Sequence, residues 1–171
     1  MLRSITMITQ SQVKELFTYK DGNLYWINRP YKSRVDITKP AGTVTSDGYR
    51  AIMVNKKYRR AHRLVYMYHY GFYPETLDHR NNDRLDNSID NLRPATYQQN
   101  NRNASLAKSN TSGVKGVSYC KQTDRWKAAI RTGTKNLTVG RFDSIKEAEK
   151  AIIQKRKEIH GNYANNGRVV K

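Results

Sequence analysis

Apolar residues recur along this chain in short bursts whose spacing alternates between helical and extended periods. Val13, Leu16 and Phe17 fall on one face of a short helix, with Thr9 or Ser11 as its N-cap. Asp21-Gly22 marks a turn before the extended run Leu24-Tyr25-Trp26, and a polar loop with Pro30 and Pro40 follows. Asp47-Gly48 leads into Tyr49 to Val54. A turn at Asn55-Lys56-Lys57 then folds Tyr58 to Ala61 back as a hairpin. His62 to Tyr70 reads as a helix, with Leu64, Val65 and Tyr68 at helical spacing and Gly71 as the C′ residue.

The next segment is read as strand, loop, strand, helix. Glu75 to His79 is a short strand, Arg80 to Ser88 an Asn/Asp-rich loop, and Ile89 to Leu92 a second short strand. Thr96 with Gln99 three residues on forms a capping-box pattern for a helix running to about Leu106. Residues 107–113, AKSNTSG, have linker composition. Beyond them Val117 to Lys121, Arg125 to Arg131 and Leu137 to Phe142 are strand-like. Trp126, Ala128 and Ile130 alternate with Lys127, Ala129 and Arg131, an apolar face against a basic one. Ser144 and Glu147 open a last helix that ends at Gly161, with Ile145, Ala148, Ile152 and Ile159 on one face to cover that sheet. The fold class is therefore α+β.

Charge narrows the choice of partner. Of the 171 residues, 32 are Lys or Arg and 14 are Asp or Glu, a formal net charge of +18, and both halves of the chain are basic. Twelve Tyr, three Phe and two Trp are too many for a disordered basic tail. A folded protein with this surplus meets phosphates, and composition alone weighs DNA and RNA equally. No stretch approaches the roughly 18 apolar residues of a spanning helix, so no membrane partner is expected. The N-terminal sequence lacks a secretory apolar region, which points to an intracellular, cytoplasmic protein. The single cysteine, Cys120, allows neither an internal disulfide nor a Cys-based zinc knuckle.

Asp78-His79 places a carboxylate and an imidazole side by side at a strand end, pointing to opposite sides. One can hold a metal while the other faces an attacking water. Asn100, one turn into the following helix, can add a second oxygen ligand. A carboxylate, an amide oxygen, waters and a phosphate make a hard oxygen shell that suits Mg²⁺ better than Zn²⁺. His79, with an ordinary pKa near ~6.5, is a candidate general base. Asn81, Asn82, Asp86 and Asn87 read as turn residues. His62 fits packing and substrate contact equally well, and His69 and His160 read as exposed or packed histidines.

The run LDHRNNDRLDNSIDNLRPATYQQNNRN, Leu77 to Asn103, resembles the ββα-metal core of HNH endonucleases, in particular phage homing-type enzymes. Ala61-His62-Arg63-Leu64-Val65-Tyr66 resembles the helix that often precedes that core. The resemblance implies that Asp78 is a metal ligand, His79 the general base, and Asn100 the second metal ligand. It implies that Asn91 holds the loop that aims His79. Asn100 stands where many members have His, which implies one Mg²⁺ or Mn²⁺ ion per site rather than zinc.

The segments Ser112 to Val117, Arg125 to Arg131 and Val139 to Ser144 resemble a second family, the plant Apetala/ethylene-response-factor DNA-binding domain. That fold lays a three-stranded sheet in the major groove with a helix behind it. Lys115 and Arg131 match basic DNA-contacting positions. Ser118, Asn136 and Thr138 stand where plant members have Arg, Arg and Trp, so the plant base preference does not carry over. Lys121, Arg125 and Lys127 are further candidate phosphate contacts, and Trp126 is read as core.

The expectation is a phage homing-type endonuclease acting on duplex DNA as a monomer or homodimer, in the host cytoplasm if phage-encoded. Residues 1–106 form the nuclease region with its core at about 75–106, residues 107–113 the linker, and residues 114–171 the DNA-binding domain. The alternative is a catalytically inactive DNA-binding regulator on the same folds. An RNA-binding protein is a third, weaker reading.

Overall fold

The structure, a computed structural model, describes residues 8–107, 109–133 and 135–167. It divides into two compact units, Met1–Pro94 and Ala95–Lys171. Residues 1–7 of the N-terminal stretch expected to lack a secretory apolar region lie outside the described residues.

The first unit begins with α1 (Gln10–Leu16), closed at its start by a reciprocal capping box between Thr9 and Gln12. Phe17 does not extend that helix. It adopts extended backbone at φ −133° and opens β1 (Phe17–Lys20), which pairs antiparallel with β2 (Asn23–Trp26). Asp21 and Gly22, at φ 47° and 76°, supply the two left-handed positions of the tight hairpin turn. Phe17, fully buried, stacks on Trp26 across the hairpin with ring centroids 4.3 Å apart. Pairing across the hairpin therefore overrides the helical spacing that placed Phe17 with Val13 and Leu16.

β3 (Thr43–Val44), β4 (Arg50–Val54) and β5 (Lys57–Arg60) form an antiparallel sheet in that order. Asn55 and Lys56, both with positive φ, make the expected hairpin turn. β5 runs directly into α2 (Ala61–Tyr70), which ends on left-handed Gly71. Leu64 and Val65 of α2 are fully buried against Phe17, Leu24 and Ile52. After α2 come β6 (Thr76–His79) and β7 (Leu92–Ala95), which pair as a two-stranded sheet. Ile89–Asn91, expected as strand, is a 3-10 turn, and the strand starts only at Leu92. The Ser88 carbonyl accepts from both Asn91 N and Leu92 N, closing the turn before pairing can begin.

In the second unit α3 (Tyr97–Asn103) has the expected capping box of Thr96 and Gln99 but stops at Asn103, short of Leu106. Lys115 Nζ donates to the carbonyls of Arg102, at 2.9 Å, and Ala104, closing that end. The segment read as a linker is hydrogen-bonded within this unit. Leu106 N donates to Gly167 O, and the Asn110 and Ser112 side chains bond to Val114 O (Lys108 lies outside the described residues). β8 (Val117–Cys120), β9 (Arg125–Thr132) and β10 (Lys135–Phe142) form an antiparallel sheet with β9 central, and α4 (Ile145–His160) packs on it. Its core joins Val117, Ala128 and Ile130 from the sheet to Ala148 and Ile152 from α4, with Trp126 packed beside them.

That core is small, so each member carries much of it. Ile152→Ala removes a fully buried side chain and is expected to destabilise the second unit by about 2–5 kcal/mol. Urea unfolding followed through Trp126 fluorescence tests this, and a change below about 1 kcal/mol would contradict this core assignment.

Candidate functional site

Asp78 and His79 close β6, and both are buried, at 3% and 5% exposure. A carboxylate in such a place requires a partner. Arg93, on β7, supplies it: Nε and Nη2 lie 2.8 and 2.7 Å from Asp78 Oδ2. Arg93 is itself buried. Sequence reasoning gave it no role, although it closes the Asn91-Leu92-Arg93 triplet on which the HNH resemblance was drawn. Its signal was a basic residue on the strand paired with the one that carries the acid.

On the other side of the strand end, His79 Nε2 lies 3.0 Å from Asn87 Oδ1. An amide oxygen accepts but does not donate, so Nε2 carries the hydrogen and Nδ1 keeps the lone pair. Asn87 is almost completely buried. Beyond the turn expected of it, Asn87 is hydrogen-bonded to the imidazole. The clue in the sequence was weak, because Asn-rich loops are usually just turns.

Asn91 holds the loop together. Its Oδ1 accepts from Asn81 N at 3.0 Å, and its Nδ2 donates to Asp86 O at 2.7 Å and to Asn81 Oδ1 at 3.0 Å. Asn81 Nδ2 in turn donates to Asp86 Oδ2, and Asp86 Oδ1 accepts from Ser88 N and Oγ. Asn81 and Asp86 are thus crosslinks of a folded loop as well as turn residues, while Asn82 takes the left-handed position, at φ 62°. Asn91 thus acts on the loop that carries Asn87.

His62, from α2, packs its ring edge-on to His79 at 5.1 Å between centroids, and Tyr49 lies 5.3 Å from His62. Arg60 and Arg84 stand 5.0 and 4.9 Å from the Tyr49 ring centre. Burial, then the neighbouring His79, Arg63 and Arg60, push His62 down to about 3. Burial also lowers His79, opposed by the Asn87 hydrogen bond and by Asp78, Asp86 and Asp83. Both rings are therefore neutral near neutral pH, as a general base must be. His62 is a buried residue whose ring packs against His79.

Asn100 lies on α3, half-buried, in the second unit. Among the described residues, no group of three or more His, Cys, Asp or Glu could hold a metal. The donors proposed for Mg²⁺ are instead one carboxylate and one amide oxygen, hard ligands of the type that ion prefers. Cys120 stands apart as a free thiol on β8.

The basic candidates of the second unit divide. Lys115 is half-buried and bonded to two backbone carbonyls, and burial with nearby Arg156 lowers its pKa to about 8. It caps α3 and is not presented on the sheet surface. Arg125 pairs with Asp143 at 2.8 Å. Lys121 is exposed in the turn after β8. Lys127 sits opposite Ser118 and Arg141, and Arg131 opposite Asn136, on the sheet face away from the Ala128–Ile130 core.

The family described as HNH endonuclease matches residues 59–102. Protein 3.8 of Escherichia phage T7 is 34% identical over 94 residues, which cover 55% of this chain and 74% of that protein. No solved structure matches the chain. Among the described residues, no helix is long and apolar enough to cross a membrane.

Two titrations test the geometry without any assay of activity. Unfolding frees His62 to take up a proton below about 6.5, whereas in the fold it resists protonation down to about 3. The unfolded chain binds more protons in that window, so stability falls as pH drops through it, by up to about 1.4 kcal/mol per pH unit for this group. His62→Phe is expected to flatten that slope in denaturant titrations. In Asn87→Asp a carboxylate replaces the amide on His79 Nε2, and the His79 pKa, followed by NMR, is expected to rise by about a unit or more. No rise would mean that Asn87 does not direct the ring.

Proposed function

We infer that this chain, which belongs to the family of the phage T7 protein 3.8 and carries an HNH endonuclease domain at residues 59–102, is a metal-dependent endonuclease of duplex DNA. The observation that carries this reading is the buried His79, neutral and oriented through Nε2 by Asn87, beside the carboxylate of Asp78.

His79 Nδ1 takes the proton of the attacking water, and the hydrogen bond to Asn87 keeps the ring oriented as it becomes positively charged. Asp83 and Asp86, whose charges favour the imidazolium, steady that intermediate state. Arg93 fixes the Asp78 carboxylate through one oxygen, Oδ2. Asp78 would be an oxygen ligand of one Mg²⁺ or Mn²⁺ ion, with Asn100 the second ligand that the HNH resemblance implies, and such an ion would supply charge neutralisation during phosphodiester cleavage. The products are then 5′-phosphate and 3′-hydroxyl ends. One such site cuts one strand, so a monomer nicks, and double-strand cleavage needs a homodimer or two successive events.

The second unit is read as an Apetala/ethylene-response-factor-like module that positions the nuclease. Its support is a three-stranded antiparallel sheet backed by one helix, with Lys127, Arg131 and Arg141 on the opposite face. Such cations supply salt-dependent affinity for backbone phosphates, while specificity comes from base edges. The phage relative supports a phage context, and the homing-type reading rests on the sequence resemblance. A competing reading is an inactive DNA-binding regulator. The Asp78–Arg93 pair favours it, since a guanidinium competes with a cation for the same carboxylate.

Supercoiled plasmid incubated with Mg²⁺ or Mn²⁺ separates the two. Nicking is expected, abolished by chelation and reduced about 10²–10⁴-fold in His79→Ala, with duplex binding retained. Binding without metal-dependent cleavage, on DNA from the source genome as well, would favour the regulator.

A further inference from the structure

A cavity of about 540 Å³ lies within the second unit, between α3, the β9–β10 end of the sheet and the last turns of α4. Arg102, Lys115, Arg131, Arg156 and His160 line it, and no acidic residue does among the described residues. Four permanent or near-permanent cations therefore share one hollow with no carboxylate in its wall.

The internal bonding leaves that charge standing. Arg156 is 3% exposed, yet its guanidinium donates to the Asn166 side-chain oxygen and the Lys115 carbonyl, each at 2.6 Å and each neutral. Lys115 likewise bonds only neutral carbonyls of Arg102 and Ala104. Arg131 Nε reaches the Gly133 carbonyl at a long 3.3 Å. Buried cations satisfied by dipoles alone are costly, and an anion in their midst removes the cost.

His160 stands in the same wall, buried and hydrogen-bonded toward the Arg131 backbone. The volume far exceeds that of a lone phosphate and lies within the usual range for small organic ligands, about 300–1,000 Å³. Gln98, Asn101 and Asn136 bring side-chain amides to the same hollow, groups that pair with base edges by donating and accepting together.

We propose that this cavity binds a nucleotide through its phosphate monoester, either as a free nucleoside monophosphate or as the phosphorylated 5′ end of a DNA strand. Arg102 and Arg131 grip the phosphate from the rim, the buried Arg156 and Lys115 set the positive field beneath it, and His160 donates to it. A monoester carries up to two negative charges where a backbone diester carries one, so a terminal phosphate is preferred over an internal one. The site stands whether or not His79 supports cleavage.

The test uses the full chain in metal-free buffer, where no cleavage chemistry enters. The His160 ring resonance, assigned with His160→Gln, is followed by NMR on titration with dAMP, deoxyadenosine, and a short single strand with a 5′-phosphate or a 5′-hydroxyl. Saturable shifts are expected with the phosphorylated probes and not with their unphosphorylated partners. Response to dAMP identifies a free nucleotide as sufficient, and response to the 5′-phosphorylated strand alone identifies a DNA end. Arg102→Gln and Arg131→Gln, which leave the buried Arg156 in place, are each expected to weaken binding about tenfold or more. Absence of a phosphate-dependent saturable shift, or unchanged affinity when both rim arginines are replaced in a folded protein, would overturn the proposal.

Discussion

The paired burial of Asp78 with Arg93 is the constraint around which the first unit is built. Two charges out of water are tolerated only when each meets the other at close range, and here Arg93 Nε and Nη2 lie under 3 Å from Asp78 Oδ2. Removing Arg93 alone would take its charge partner from a buried carboxylate, a loss of about 3–5 kcal/mol. The pair can form only if β6 and β7 lie side by side, so the ion pair and the two-stranded sheet depend on each other. The chain between those strands must then fold as a closed loop. Asn91 does this by bonding Asn81 at the loop's start and Asp86 further along, which in turn delivers Asn87 to His79.

This dependence explains which parts were legible in the sequence. Local signals transferred well. The Thr96 and Ser144 capping boxes, the Asn55-Lys56 turn and the Gly71 helix end were all read from a few neighbouring residues, and both boxes close in the structure, while Thr9, one of two N-cap candidates, closes a third. The alternation along β9 also gave the sidedness of the C-terminal sheet correctly, with Ala128 and Ile130 in its core. What failed was long-range. Phe17 carried a helical spacing, yet its cross-strand partner Trp26 decided its conformation. Arg93 and Asn87 could not be recognised as partners of Asp78 and His79 without the pairing of β6 with β7.

Lys115 shows the same limit from the opposite side. A basic residue that matches a DNA-contacting position is indistinguishable in sequence from one that caps a helix. Only its two carbonyl acceptors and the depression of its pKa to about 8 reveal an inward commitment. A net charge of +18 consequently cannot be treated as uniformly available surface. Part of it, on Lys127, Arg131 and Arg141, lies along an exposed sheet face. Another part is folded into the second unit at Lys115 and Arg156.

The two units thus handle charge by opposite means, and that contrast bears on what each can do. In the first, burial is neutralised internally: Arg93 answers Asp78, and His62 and His79 remain uncharged because burial disfavours their protonated forms. Such a site is organised before any ligand arrives, which is what the proton transfer proposed for His79 requires, since a base that had to reorient would lose its advantage. In the second, Arg156 and Lys115 are met by neutral oxygens only, so the positive field is retained within the fold. A fold that keeps an uncompensated field loses stability to it until an anion is present, and gains binding strength for that anion in the same measure. Preorganised neutrality suits chemistry on a bond. Retained charge suits holding a polyanion.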